Sequence, residues 1–293
     1  MTTTLEHTVG TNDPSRQPPA PPTGSAGDRQ EDVRPRRRSY GSGGRLTLGR
    51  GLGVLILLLA WSAGSATGLI APRIMAAPWQ VVVAGADLVE SGRLQESLVA
   101  SLTRAGAGIV LGIVAGVILA TAAGLSRWGE SLIDGPVQVK RSIPTLALMP
   151  LLILWFGIGE EMKVTTIALA TVIPVYMNTF DGLRSIDRRF VELASTLEVG
   201  RVEFLRRVIL PGSMPGVILG LRYGVTAGLL ALVVVEQVNT TSGLGYMITL
   251  ASNYGQTEII VVGLVTYAVL GVAADAALRA VGRRALSWRR TIS

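Results

Sequence analysis

The stretch RSIDRRFVELASTLEVGRVEFLRRVILP, residues 184–211, is a charged segment that lies between two apolar runs. It carries six arginines and four acidic residues, and a segment with that many charges does not lie in hydrocarbon. The runs on both sides are apolar enough to cross a membrane. We therefore predict a polar loop that is held on one face of a bilayer by membrane helices.

Within this loop the sequence predicts two short helices with a bend between them. The first covers about residues 190–197, and Leu210 and Pro211 end the second. Apolar residues recur in the second at the spacing of one helix face: Val202, Leu205, Val208 and Ile209. Two such helices form a protruding surface to which a soluble partner could bind.

The composition is that of a membrane protein. Of 293 residues, 49% are hydrophobic and 16% charged, and the mean hydropathy is +0.47. The chain has no cysteine, and its single histidine is His7, which excludes a disulfide framework and a Cys/His metal site. It contains no phosphate-binding G-x-x-x-x-G-K-[ST] motif, so we expect no cofactor and no ATP site in this chain.

The apolar pattern predicts an all-α membrane protein. Residues 1–45 are rich in Pro, Gly, Ser, Thr and charge and form a predicted disordered tail, followed by a membrane domain over residues 46–293. A spanning helix needs about 20 mostly apolar residues. Six spans are predicted, at about residues 51–71, 105–126, 142–159, 164–180, 215–238 and 259–278.

The distribution of charge predicts the orientation. Most of the 27 basic residues fall in the tail, in the C-terminus, in residues 184–211 and in a predicted loop after the second span that holds Arg127, Lys140 and Arg141. Basic residues concentrate on the cytoplasmic side of membrane proteins. We therefore expect both termini and residues 184–211 in the cytoplasm, and the net charge of +7 does not imply a nucleic-acid partner.

Two further patterns concern the spans themselves. Small residues recur every four positions in the second span, which predicts close packing against a neighbouring helix in preference to a role in a pore. Prolines inside apolar runs predict kinks or breaks. The small residues are Gly108, Gly112, Gly116, Ala120 and Gly124, and the prolines are Pro144, Pro150 and Pro174.

Residues 184–211 resemble the EAA loop of permease subunits of ABC importers, the piece that docks into the ATPase subunit. The positions in register are Glu192, Ala194, Val208, Leu210 and Pro211. Two positions depart from the family pattern: Leu193 replaces an alanine, and Glu198 stands where the family has glycine, with Gly200 two residues later. Either Glu198 or Gly200 is therefore expected to make the bend.

Longer motifs extend the resemblance to the nitrate/sulfonate/taurine branch of these permeases: RSIPTLALMPLLILWFGIGE at 141–160, NTFDGLRSID at 178–187 and VVVEQVNTTSGLGYMI at 233–248. The resemblance implies the type I importer fold with six helices, a homodimer in the bacterial cytoplasmic membrane, an ABC ATPase dimer and an extracytoplasmic solute-binding protein. It implies transport of a small anion such as an aliphatic sulfonate, taurine or nitrate, or alternatively a riboflavin or thiamine-precursor solute. Glu192, Ala194 and Leu197 are expected to face the ATPase.

Charged residues inside spans are candidates for the translocation path. Arg222 could attract an anion, although a position near the cytoplasmic end that braces the loop is the preferred interpretation. Glu236 is the second candidate, and Asp275 is expected to pair with a basic residue. Two other classes are disfavoured: a secondary transporter lacks visible inverted repeats here, and a membrane-bound enzyme lacks paired carboxylates or histidine clusters.

Overall fold

The computed structural model describes residues 46–71, 73–238 and 240–286, and the predicted tail of residues 1–45 lies outside them. The described residues are helical and contain no strand. A short 3₁₀ helix, Thr145–Leu148, and a π turn, Leu205–Ile209, interrupt the α-helices. The α-helices are α1 (Leu46–Ala66), α2 (Pro78–Glu90), α3 (Arg93–Leu125), α4 (Arg127–Ser142), α5 (Met149–Phe156), α6 (Glu160–Arg184), α7 (Arg188–Thr196), α8 (Arg201–Phe204), α9 (Leu210–Gln237), α10 (Leu244–Asn253) and α11 (Thr257–Ala285).

Helix α6 lies between α3 and α9 at the centre of the core. On the α3 side, a Cβ atom added to Gly112 would lie 2.5 Å from Thr171 Cβ, and one added to Gly116 would lie 2.9 Å from Val175 Cβ. The predicted packing role of the small-residue stripe is therefore confirmed. The partner residues on α6 advance in the same order as the glycines, so α3 and α6 run parallel.

A second glycine stripe, which the sequence analysis did not identify, lies on α9. A Cβ added to Gly224 would lie 2.6 Å from Val175 Cγ2, and one added to Gly216 would lie 2.5 Å from the Asn178 carbonyl oxygen. The order is reversed here, so α9 runs antiparallel to α6. Since both flanking helices approach at glycine, three backbones pack closely without large side chains between them.

The polarity of the surface is typical of a membrane protein. Large apolar side chains point outwards, with Leu57 70%, Ile118 61% and Val269 61% exposed. Threonines lie inside instead: Thr166 and Thr171 of α6 are fully buried and donate to backbone carbonyls one turn back. The interior also holds large apolar side chains, and the small and polar residues between them allow the helices to pack closely in lipid.

Three helices among the described residues are long and apolar enough to cross a bilayer: Arg93–Leu125, Val202–Gln237 and Thr257–Ala285. They correspond to the second, fifth and sixth predicted spans. The apolar part of α1, Leu52–Ala66, is shorter. Helix α6, the fourth predicted span, has 25 residues but is not among the three.

The predicted third span, residues 142–159, is wrong as a continuous helix. Helix α4 ends at Ser142, and the following helical stretch, Thr145–Phe156, turns away by 91°. Pro144 stands in the break, as its missing N–H predicts, whereas Pro174 lies inside the unbroken α6. The loop predicted around Arg127, Lys140 and Arg141 is likewise wrong, because these residues belong to α4. Helices α2 and α10 were not predicted.

Candidate functional site

The predicted coupling segment, residues 184–211, forms two short helices and a bend. The Asp187 carboxylate accepts a hydrogen bond from the Arg189 N–H at 3.0 Å and caps the start of α7. Helix α7 presents large apolar side chains to solvent, since Phe190, Leu193 and Leu197 are each more than half exposed. An exposed apolar face of this kind is typical of a surface that a partner covers.

The residues predicted to face the ATPase fall in two places. Helix α7 brings together Glu192, which is exposed, and Ala194, which is half-buried, and Leu197 follows directly at its end. Leu210 and Pro211 instead form the first turn of α9. Glu192 and Ala194 are two residues apart and therefore lie on different faces of α7, and contact of this group with an ATPase stays a prediction.

The bend is made by Glu198. Its φ of 53° lies in the left-handed region, and it is the one non-glycine residue with positive φ among the described residues. Two backbone bonds close the end of α7, from Glu198 N–H to the Ser195 carbonyl at 3.3 Å and from Val199 N–H to the Ala194 carbonyl at 2.9 Å. This is the Schellman arrangement, in which the left-handed position is usually glycine. Of the two sequence alternatives, the structure therefore places the turn at Glu198 and not at Gly200.

The predicted end of the second short helix at Leu210 and Pro211 is wrong, because these residues begin α9 and the helix continues into the membrane part of the chain. Helix α8, the π turn and α9 form one helical run from Val202 to Gln237, 36 residues long. Single π turns often mark functional positions in helices. No loop separates residues 202–209 from α9, so they form one continuous helical run with it.

A buried polar cluster lies at the other end of α9. Glu236 is fully buried, and its carboxylate pairs with the Arg104 guanidinium of α3. It also accepts hydrogen bonds from the hydroxyls of Ser101 and Tyr267, each at 2.7 Å, and from the Gly245 N–H at 3.0 Å. A charge this deeply buried is stable only when it is paired and hydrogen-bonded, and this carboxylate is both.

Glu160 joins α6 to the same cluster. Its two oxygens accept from Arg104 at 2.6 and 2.7 Å, and one also accepts from Lys163 at 3.0 Å. Glu160 precedes the predicted span of residues 164–180 and is 60% exposed, and its hydrogen bond from Arg104 lowers its pKa to about 2. The cluster therefore contains two basic and two acidic side chains, Arg104 and Lys163 against Glu160 and Glu236.

The loop between α9 and α10 fits closely over this cluster. Gly243 has a φ of 109°, and a Cβ atom added to it would lie 2.5 Å from Glu236 Oε1. A side chain at this position would therefore strain the backbone and displace the carboxylate. The cluster ties α3, α6, α9, α10 and α11 together at one end of the molecule.

The other charged span residue, Arg222, lies nearer the coupling segment. It forms an ion pair with Asp275 of α11 at 3.0 Å, and Asp275 also pairs with Arg279. The expected basic partner of Asp275 is thereby confirmed. Arg222 is paired with Asp275, and the Glu236 carboxylate repels an anion, so the role of both residues in a path stays a prediction. Across the described residues, no cluster of three or more His, Cys, Asp or Glu side chains could hold a metal ion.

Comparison with known proteins identifies the family. The pattern of the family described as "Binding-protein-dependent transport system inner membrane component" matches residues 108–287, more than half of the chain. The chain belongs to this family. Its helices and its membrane-protein surface are those of an inner membrane permease.

Two relatives from Escherichia coli (strain K12) resemble most of this permease. The aliphatic sulfonates transport permease protein SsuC is 40% identical over 79% of this chain and 88% of its own. The taurine transport system permease protein TauC is 33% identical over 80% of this chain and 86% of its own. A crystal structure described as an amino acid ABC transporter covers 68% of this permease and 97% of that chain, with 18% identity and a TM-score of 0.59, which shows a shared fold.

The buried cluster is the part of the site that sequence reasoning missed. The sequence analysis singled out Glu236 but not Arg104, which pairs with it, nor Glu160, which pairs with Arg104. They are 132 and 76 positions away along the chain, so no local spacing links them. The available signal was the presence of charged residues beside apolar runs at three separate span ends. Such charges need partners of opposite sign, which indicates that the three ends lie close together.

Proposed function

We propose that this chain is the membrane subunit of an ATP-driven importer for aliphatic sulfonates or taurine. The similarity to SsuC and TauC, permeases named for aliphatic sulfonates and taurine, supports this solute class over the riboflavin or thiamine-precursor alternative. The observation that carries the ATP-driven class is the exposed apolar helix α7, joined through α8 to a helix that runs the length of the membrane part. A transporter driven by an ion gradient has no need of such a docking surface.

The partners follow from the same proposal. An ABC ATPase dimer covers α7 and hydrolyses ATP, which this chain does not do and for which it holds no cofactor. A second copy of the chain completes the membrane part, and an extracytoplasmic binding protein delivers the solute. Residues 184–211 are the coupling segment, with Glu192, Ala194 and Leu197 against the ATPase.

The geometry suggests how movement is transmitted. The run from Val202 to Gln237 is about 54 Å long at 1.5 Å per residue. Its inner end belongs to the coupling segment, and its outer end is fixed by Glu236 in the buried cluster. When the ATPase subunits close, they displace α8, and α9 tilts about the fixed outer end. Tilting of this kind alternates access to a site between the helices.

We further propose six spans, with the bent pair of α4 and residues 145–156 as the third. Helices α3 and α6 run parallel, which requires the chain to cross the membrane once between them. Only the bent pair lies there. Helix α9 returns antiparallel to α6, and Glu236–Tyr267 and Arg222–Asp275 contacts make α11 antiparallel to α9. Both termini and the coupling segment are then cytoplasmic.

Reporter fusions test this topology. A fusion at Arg45 should report the cytoplasm, and one at Tyr254, between α10 and α11, should report the outside. Equal signals from both fusions would contradict the six-span arrangement, whereas the assignment to the family would not change.

Uptake by reconstituted vesicles tests the function. The chain is purified with its ATPase and placed in liposomes, with binding protein outside and ATP inside. We expect accumulation of labelled hexanesulfonate or taurine that stops when ATP is replaced by a non-hydrolysable analogue. Accumulation that instead follows an imposed proton or sodium gradient would assign the chain to secondary transport.

A further inference from the structure

Lys140 places a cation about halfway across the membrane part. Its ammonium donates to the Leu169 carbonyl oxygen of α6 at 2.8 Å and to Thr145 Oγ1 at 2.7 Å. Along α6, Leu169 lies roughly 14 Å from Glu160, where the buried cluster is, and roughly 22 Å from Arg184, where the coupling segment begins. An ionisable side chain at such a depth is costly and is a functional candidate by default.

Lys140 is half-buried, and it differs from Arg104 and Arg222 because no counter-ion among the described residues pairs with it. Arg104 has two carboxylates and Arg222 has one, whereas no carboxylate of the described residues forms an ion pair with Lys140. Both of its partners are neutral, and an ammonium has three N–H donors, so one remains. In a low dielectric an unpaired cation attracts an anion strongly.

The backbone around Lys140 is also unusual. It lies in the last turn of α4, just before the break at Pro144 and the 91° turn into residues 145–156. In transporters, solute sites lie near the bilayer midplane at discontinuous helices of this kind. Thr145, the hydroxyl partner of Lys140, stands on the far side of the break.

An apolar groove extends from the Lys140 side chain. It has a volume of about 310 Å³ and lies between α3, α4 and α6, where Leu119, Leu132, Ile133 and Val172 are among its lining residues. Lys140 is the one charged residue among those that line it. The groove therefore combines a cation at one end with apolar side chains along its length. Its volume is at the small end of the size range of ligand pockets.

We propose that Lys140 and this groove form a binding site for an amphipathic anion, an alkanesulfonate with a short chain, during its passage through the membrane. The ammonium pairs with the sulfonate oxygens, Thr145 lies beside them, and the alkyl chain occupies the groove. This inference rests on the proposed function and names the site within it. Lys140 is thus proposed as the cation that first meets the anionic group inside the membrane, since Arg222 already pairs with Asp275 and the Glu236 carboxylate repels an anion.

Uptake by the reconstituted complex tests the head-group contact. In phosphatidylcholine vesicles, Lys140→Gln should lower hexanesulfonate uptake at least tenfold, while Lys140→Arg keeps at least half. Arg127→Gln removes one positive charge from the exposed start of the same helix and should behave as wild type. Uptake by Lys140→Gln within twofold of Arg127→Gln would overturn the proposal. Absence of sulfonate uptake by the wild type would instead refute the proposed function.

The groove gives a second test that leaves Lys140 intact. Leu132 stands at its rim and is 77% exposed, so a larger side chain there does not disturb the core. Leu132→Trp narrows the groove and should lower hexanesulfonate uptake at least fivefold while leaving taurine, whose chain has two carbons, within twofold. A purely structural Lys140 predicts no change in this ratio. Equal effects on both solutes would contradict the alkyl-chain site, even where Lys140→Gln fails to assemble.

Direct binding separates a solute from a membrane lipid. Calorimetric titration of hexanesulfonate into the detergent-purified complex, without binding protein, should give saturable heat for the wild type and none for Lys140→Gln. If both titrate alike, and Lys140→Gln loses activity only in vesicles that contain phosphatidylglycerol, the groove holds an anionic lipid and the solute site is refuted.

Discussion

Glu198 holds a backbone conformation that favours glycine. A non-glycine residue in the left-handed region costs roughly 1 kcal/mol or more, and the two Schellman hydrogen bonds compensate for that cost here. Glu198→Gly should therefore stabilise the bend by about 1 kcal/mol. Hydrogen exchange at the Glu198 and Val199 amides should slow about fivefold, since 1.36 kcal/mol corresponds to a factor of ten.

Gly200 supplies the control for this prediction. Its φ is not in the left-handed region, and a Cβ atom added to it would meet nothing within 4 Å. Gly200→Ala should leave exchange at the same amides unchanged. Faster exchange in Gly200→Ala, together with unchanged exchange in Glu198→Gly, would contradict a turn at Glu198.

Glu236 is the residue whose loss should cost most stability. Glu236→Gln leaves Arg104 with one carboxylate fewer in a fully buried site, and breaking a buried pair in this way costs about 3–5 kcal/mol. The thermal unfolding midpoint of the detergent-purified protein should fall by several degrees. Glu161→Gln, an exposed carboxylate next to Glu160, should stay within a degree of wild type. Equal midpoints for the two variants would show that the cluster is not a structural anchor.

At the residue scale, the sequence predicted part of the candidate site. It limited the bend to Glu198 or Gly200, and the positive φ of Glu198 in the structure identifies Glu198 as the turn residue. It also singled out Glu236, but a carboxylate does not specify which distant cation it meets. Lys140 was assigned to a loop because charge near an apolar run is usually outside the membrane, and its hydrogen bonds to Leu169 and Thr145 cannot be predicted from spacing.

Among the elements, the packing of α3 on α6 is the most sensitive. A side chain at Gly112 would meet Thr171 Cβ at 2.5 Å and the Ala168 carbonyl oxygen at 2.7 Å, and neither can move without separating the helices. Gly112→Leu should therefore abolish folding, seen as loss of membrane-extracted protein in gel filtration. Gly106→Leu is on the exposed side of the same helix, where an added Cβ meets nothing, and should give normal yield. Normal yield of Gly112→Leu would contradict the close approach.

Helix boundaries show where hydropathy is informative and where it is not. The uncharged core of α3 was predicted, but the helix begins twelve residues earlier, at Arg93, because Arg104 is neutralised by its partners. Helix α4 was missed since its charges suggested a loop. Glu130 pairs with Arg184, and the Tyr176 hydroxyl donates to Asp134 at 3.2 Å, so α4 packs along α6 as a helix. Partners far apart in sequence thus extend helices into stretches that composition alone assigns to loops.

At the scale of the whole molecule, the two ends have different roles. One end holds a closed, charge-balanced cluster with Glu236 fully buried, and the other exposes apolar side chains on α7. The continuous run from Val202 to Gln237 joins them. One end of this helical run is fixed by the buried cluster, and the other end lies beside an exposed apolar surface. This arrangement is expected if a partner that binds α7 displaces the run and so opens a solute path between the helices.

Cross-linking tests directly whether the ATPase covers α7. The chain has no cysteine, so a single introduced cysteine gives an unambiguous signal. In the purified complex, Leu197→Cys should cross-link to the ATPase subunit with a short bifunctional reagent, and the yield should change when ATP binds. Tyr254→Cys, 73% exposed between α10 and α11, should give no such product. A product from Tyr254→Cys with none from Leu197→Cys would contradict the account.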